Sequence, residues 1–164
     1  QIRLLHIYPG RFDETVNIQL QCAELSSRLR YDALSYAWGT QTSPFQARVN
    51  VVGMWITANL DCALRYLRQG TRTRALWVDV LCINQKDTIE RNSQVKAMEK
   101  VYKLADQVII WLGPEDGVSE HEFHADWNGW EPDLFHAKIR IFSRPWFSRL
   151  WVAQEFVLAR DPVV

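Results

Sequence analysis

Stretches that alternate apolar with polar residues occupy the start of this chain, and stretches that are apolar almost throughout occupy its middle. Residues 4–8 and 16–22 alternate, as half-exposed strands do, and Pro9 and Gly10 mark the turn between them. Residues 31–38 form a third strand, broken by Gly39 and Thr40. Residues 46–52 lead through a turn at Gly53 to a short strand at Trp55 and Ile56. Leu60, Ala63, Leu64 and Leu67 then recur at helical spacing, which predicts a helix capped by Thr57 or Asn59 and ended by Gly70. Residues 75–83 are nearly all apolar and read as a central strand covered on both faces. Asp87 and Glu90 have capping-box spacing at the head of a second helix, with Val95, Met98, Tyr102 and Ala105 as its inward stripe. Residues 107–112 are a further apolar strand, stopped by Gly113 and Pro114, and residues 115–132 read as a variable loop. Residues 144–159 predict a last helix, with Pro145 in its first turn.

Strand, helix, apolar strand, helix, apolar strand is the order of crossovers around a parallel sheet. The expected fold class is therefore α/β, three-layered, with a mainly parallel sheet and an added N-terminal β-hairpin. A chain of 164 residues, 48% hydrophobic, suits one domain over 1–164. The abrupt end after Pro162 suggests a longer parent protein.

Charge narrows the partners. Lys plus Arg equals Asp plus Glu, so net charge is zero. No basic field is available for nucleic acid or an anionic membrane, and copies of the chain repel one another little. No apolar run approaches membrane-spanning length, and there is no secretory leader pattern. Cys22, Cys62 and Cys82 are odd in number and scattered, which argues against a disulfide framework or zinc site and for a reducing, cytoplasmic setting. Cys82, after an apolar run, reads as a small core residue. No metal site is expected. His121 and His124 flank Glu122 in the loop and read as solvated. Dehydrogenase and P-loop glycine fingerprints are both absent, so no tightly bound cofactor is expected.

Candidate chemistry gathers at strand ends and on the last helix. Ser35, Tyr36, Trp38 and Gly39 fall at the carboxyl end of their strand, where glycine lets a backbone approach a ligand and tryptophan can stack on a base. Asp79 either hydrogen-bonds a ribose or caps a neighbouring loop. Asn84 and Gln85 either begin a binding loop or hold a turn through their side chains. Glu155 lies in an otherwise apolar helical stretch, one turn after Trp151. A carboxylate there is either a desolvated catalytic group or the partner of Arg91, Arg144 or Arg149.

Three stretches resemble the heterokaryon-incompatibility (HET) domain of fungi: residues 31–39; residues 76–87 with Glu90, Arg91, Gln94, Val95, Met98 and Tyr102; and residues 144–155. The resemblance runs from about 31 to 160. It implies a cytoplasmic domain of fungal self/non-self recognition and programmed cell death. That family is distantly similar to TIR domains, which have a flavodoxin-like sheet and often cleave NAD. Leu34, Ser35 and Tyr36 are similar to the opening strand motif of TIR domains, and Trp151 with Glu155 to their catalytic helix. By that resemblance Glu155 is the catalytic carboxylate, with Ser35, Tyr36, Trp38, Gly39, Asp79, Asn84 and Trp151 around NAD as substrate. The resemblance also implies that self-association with like domains switches on hydrolysis. A non-catalytic adaptor and a nucleotide-sensing module are the rival readings.

Overall fold

The computed structural model describes residues 1–39, 44–114, 139–149 and 152–164. The predicted loop at 115–132, with His121 and His124, and Trp151 lie outside the described residues.

Among the described residues an open sheet of eight strands carries the fold, in the order β5-β4-β2-β1-β6-β3-β7-β8. The strands are β1 (Ile2–Ile7), β2 (Asn17–Ala23), β3 (Asp32–Tyr36), β4 (Phe45–Val49), β5 (Val52–Ile56), β6 (Arg74–Trp77), β7 (Val108–Trp111) and β8 (Pro162–Val163). Helix α1 (Ala58–Leu67) joins β5 to β6, and α2 (Asp79–Cys82) with α3 (Thr88–Leu104) joins β6 to β7. A 3-10 turn at Pro145–Ser148 and helix α4 (Val152–Val157) precede β8. This is an α/β fold.

The sheet is mixed rather than mainly parallel. β3 runs parallel to both β6 and β7, as crossover connections require, and β7–β8 and β2–β4 are also parallel. β1 is antiparallel to both β2 and β6, and β4 is antiparallel to β5. β1 therefore sits at the centre of the sheet. Its burial reflects that position: Ile2, Leu4, Leu5 and Ile7 are all buried, on both faces. β2, one strand further out, buries Ile18 and leaves Asn17, Gln19, Gln21 and Cys22 exposed.

Several local expectations are corrected. The apolar run 75–83 is not one strand: β6 ends at Trp77 and a helical turn begins at Asp79. Val78, Leu81 and Cys82 are buried in that turn, and a short buried helix shares its composition with a buried strand. The turn between β4 and β5 falls at Asn50 and Val51, both with positive φ, and not at Gly53. Asn50 is suited to it, since Asn tolerates the left-handed region and its Oδ1 accepts the Leu20 N–H of β2 at 2.8 Å. Helix α1 is capped by Thr57, whose Oγ accepts from the Leu60 N–H, but it ends at Arg68, two residues before Gly70. Asp87 caps α3 as expected. Glu90, however, accepts from the Asn84 N–H and from Arg3 rather than closing a capping box. The inward face of α3 is Met98, Val101 and Tyr102, with Ala105 beyond its end, whereas Val95 is exposed.

The predicted helix over 144–159 is broken. Arg149 is extended (φ −81°, ψ 137°) between the 3-10 turn and α4. Nor is the stretch buried all round, since Phe156 and Val157 are exposed. Among the described residues no helix is long and apolar enough to cross a membrane.

Candidate functional site

Because β3 and β6 are adjacent and parallel, their carboxyl ends open onto the same edge of the sheet. The loops that leave them, 37–39 and 78–85, meet there. Gly39 turns the first loop with φ +73°, a conformation that favours glycine, and Asn59 of α1 clamps it. The Asn59 amide donates to the Ala37 carbonyl at 2.6 Å and accepts from the Trp111 indole at 2.9 Å. The Trp38 indole N–H donates to Asp79 at 2.9 Å, and the Val80 N–H donates to the other carboxylate oxygen at 2.7 Å. Asp79, at the head of the turn 79–82, is thus held by two hydrogen bonds at the wall of a cleft. Trp38 is 44% exposed and lines the cleft.

That cleft has a volume of about 420 Å³ and is lined by Trp38, Asp79, Gln85, Arg91, Met98 and Arg149, among others. Such a volume falls within the range of small-molecule sites. Gln85 is fixed by donating to the Asp79 carbonyl at 3.1 Å. Arg91 and Arg149 bring two guanidinium groups beside the carboxylate of Asp79, and that of Arg149 is itself paired with Glu155. Burial pushes the Asp79 carboxyl above its ordinary range; the Trp38 and Val80 hydrogen bonds and Arg149 only partly offset this, and Glu155 adds to it.

Behind Arg149 lies a sealed polar cluster. Glu155 is 1% exposed and receives both terminal nitrogens of Arg149, each at 3.0 Å, in a two-pronged ion pair. The Ser35 hydroxyl also donates to Glu155, and the Trp146 indole N–H donates to that hydroxyl at 2.7 Å. The extended backbone at Arg149 lets the guanidinium turn back onto α4. Of the two readings of Glu155, the ion pair with Arg149 is the arrangement present. The Glu155 side chain is 1% exposed, against 20% for that of Arg149.

The expected site residues are therefore divided. Trp38 and Asp79 share the cleft; Ser35 faces the buried cluster. Tyr36 and Gly39 line an adjoining hollow. Asn84 is exposed and serves a turn, its Oδ1 accepting from the Lys86 N–H at 3.2 Å. The sequence reading missed Arg91 and Arg149 as cleft residues. Arg149, one of the three arginines expected as partners of Glu155, stands six positions before it, a spacing that a continuous helix does not bring together, so the pair depends on the helix break. Cys82 is a core residue: buried, its thiol is pushed up to about 12 by burial, and its sulfur accepts from the Val78 N–H.

The raised Asp79 carboxyl gives a pH prediction. A folded pKa above the unfolded value means that stability from this group is fullest below the unfolded pKa, near 3.8, and is lost as pH rises through the folded one. Asp79→Asn has no such dependence. Urea unfolding of both proteins at pH 4 and pH 8 is expected to move the difference in the variant's favour at the higher pH. A difference that is flat, or that moves the other way, would mean that the hydrogen bonds and Arg149 outweigh burial.

The family described as heterokaryon incompatibility protein (HET) matches residues 31–155, which include β3, the cleft and Glu155. Heterokaryon incompatibility protein 6, OR allele, of Neurospora crassa is 30% identical over 99% of this chain. The chain spans about a third (32%) of that relative's length. No solved structure matches it. The stretch that builds the Trp38–Asp79 cleft and the Arg149–Glu155 pair is thus the stretch that the family shares, and the chain belongs to the heterokaryon-incompatibility family.

Proposed function

We propose that the chain is a cell-death signalling domain of fungal heterokaryon incompatibility, located in the cytoplasm and acting by hydrolysis of NAD when it self-associates. Family membership supports the signalling role. One observation carries the chemistry: Arg91, Arg149, Asp79 and Trp38 converge on one cleft at the carboxyl edge of the sheet. NAD carries a pyrophosphate, and guanidinium groups match phosphate oxygens in charge and geometry. The parallel block β6-β3-β7, with helices in its crossovers, supports the TIR/flavodoxin-like, three-layer comparison. Zero net charge leaves little repulsion against association.

In this reaction water adds to C1′ of the nicotinamide ribose as the bond to the ring nitrogen breaks. The bonding pair goes to that nitrogen and neutralises the pyridinium, so no general acid is needed. The proton of the water passes to a carboxylate or to solvent, leaving nicotinamide and ADP-ribose. A carboxylate stabilises the oxocarbenium-like transition state. Asp79 faces the cleft. Glu155 stands directly behind Arg149. A pyrophosphate that draws the guanidinium forward releases Glu155 towards the ribose, and in that state Glu155 is the catalytic carboxylate.

A second reading is favoured by one feature: Glu155 is sealed, with Arg149 and Ser35 on its oxygens. A domain so built can act as a non-catalytic adaptor that only assembles with its like. Purified protein, crowded to promote association, is incubated with NAD and nicotinamide is measured. Nicotinamide that rises with association, and falls in Arg149→Ala, supports hydrolysis. Association without nicotinamide establishes the adaptor.

A further inference from the structure

A second hollow of about 520 Å³ adjoins the arginine cleft, and Trp38 and Gln85 are common to both. Its character is different. Pro44, Met54, Trp55 and Leu81 line it with Trp38 and Gln85, and none of its lining residues among those described carries a charge. Trp55, at the edge strand β5, is 67% exposed, and Met54 beside it is 41% exposed. Large apolar side chains left open side by side mark a surface that binds something. The half-exposed Trp38 ring stands between the two chambers, with its indole N–H already committed to Asp79, so what it offers a ligand is its face.

We infer that this hollow is the base-binding chamber of a nucleotide site: a purine ring stacks against Trp38 and Trp55 while its phosphate lies on Arg91 and Arg149. The inference rests on the anion-binding cleft of the proposed function and adds the specificity that the cleft lacks. Two cations bind any phosphate, inorganic phosphate included. A chamber of uncharged aromatic and apolar walls, joined to the cations by one shared indole, selects phosphates that carry a planar ring. Stacking on aromatic side chains tolerates any base and is worth roughly tenfold to a hundredfold in affinity for each ring. Trp55 is then a specificity residue, contributed by the β4–β5 hairpin, remote in sequence from both arginines.

Calorimetric titration of the wild-type chain with AMP, ribose 5-phosphate and adenosine tests this. AMP is expected to bind at least about tenfold more tightly than ribose 5-phosphate. Trp55→Ala, at a position too exposed to threaten folding, is expected to bring AMP down to the level of ribose 5-phosphate and leave the latter unchanged. Arg91→Ala is expected to weaken both phosphates and leave adenosine unaffected. Equal affinity for AMP and ribose 5-phosphate in the wild type, or an AMP preference that survives Trp55→Ala, overturns the chamber while the anion cleft stands. Adenosine binding that Trp55→Ala abolishes, with no binding of ribose 5-phosphate, supports the chamber and overturns the anion cleft. No binding of any of the three overturns both.

Discussion

Replacing Glu155 with alanine is expected to destabilise the domain by about 3–5 kcal/mol, the usual cost of removing one partner from a buried ion pair. For a domain of this size that lowers the melting temperature by roughly 10 °C. Three groups lose their acceptor at once: both terminal nitrogens of Arg149 and the Ser35 hydroxyl, which itself accepts from Trp146. The 20% exposure of Arg149 lets water partly replace the carboxylate, which favours the lower end of the range. Glu155→Gln keeps size and one acceptor but turns an amide N–H₂ towards other donors, so it costs less, about 1–3 kcal/mol. Pairing Glu155→Leu with Arg149→Met removes both charges, and most of the lost stability is expected to return. If Glu155 also serves the reaction, Glu155→Gln loses a hundred- to a thousandfold in nicotinamide release at temperatures where it is fully folded. Thermal melting and nicotinamide release on the same preparations separate the two roles. A Glu155→Ala protein with a wild-type melting point would show that the cluster contributes nothing to the fold.

The parts of this architecture that could be read from sequence are those set by local period and turn chemistry. Alternation over β2, the helical stripe of α1, its Thr57 cap and the Asp87 cap of α3 each follow from a few neighbouring residues. What could not be read depends on partners far away in the chain. The central place of β1 is decided by its pairing with β6, about 70 residues later. The run 75–83 changes from strand to helix at Val78 while staying apolar on both sides of Asp79. The cleft was half legible. Trp38 falls at a strand end, where α/β sheets place ligands, so a rule about topology finds it, whereas Asp79 lies past a strand end only because β6 stops at Trp77. Arg91 and Arg149 obey no such rule: one projects from the first turns of α3, the other from a helix break that sequence periodicity hides. Trp55 was visible only as a strand residue, because its relation to Trp38 is made by the β4–β5 hairpin.

Trp77→Ala is expected to cost about 3–5 kcal/mol, while Trp77→Phe costs less than about 1.5 kcal/mol. Trp77 is fully buried at the end of β6, next to Ala33 of β3, and its ring meets Tyr102 of α3 edge-on at 5.6 Å. It therefore ties the parallel block to the crossover helix that leads to β7. Truncation to alanine leaves a cavity in a place that strands on both sides prevent from collapsing, and it ends an aromatic contact worth about 0.5–1.5 kcal/mol. Phenylalanine keeps a ring against Tyr102 and gives up the indole N–H. Among the described residues that N–H has no acceptor. Burying a donor without a partner costs about 1–3 kcal/mol, so its removal offsets most of the volume lost on going to phenylalanine. Urea unfolding of the three proteins gives both differences. A Phe variant as unstable as the Ala variant would mean that the full indole shape, rather than a ring against Tyr102, holds β6 to α3.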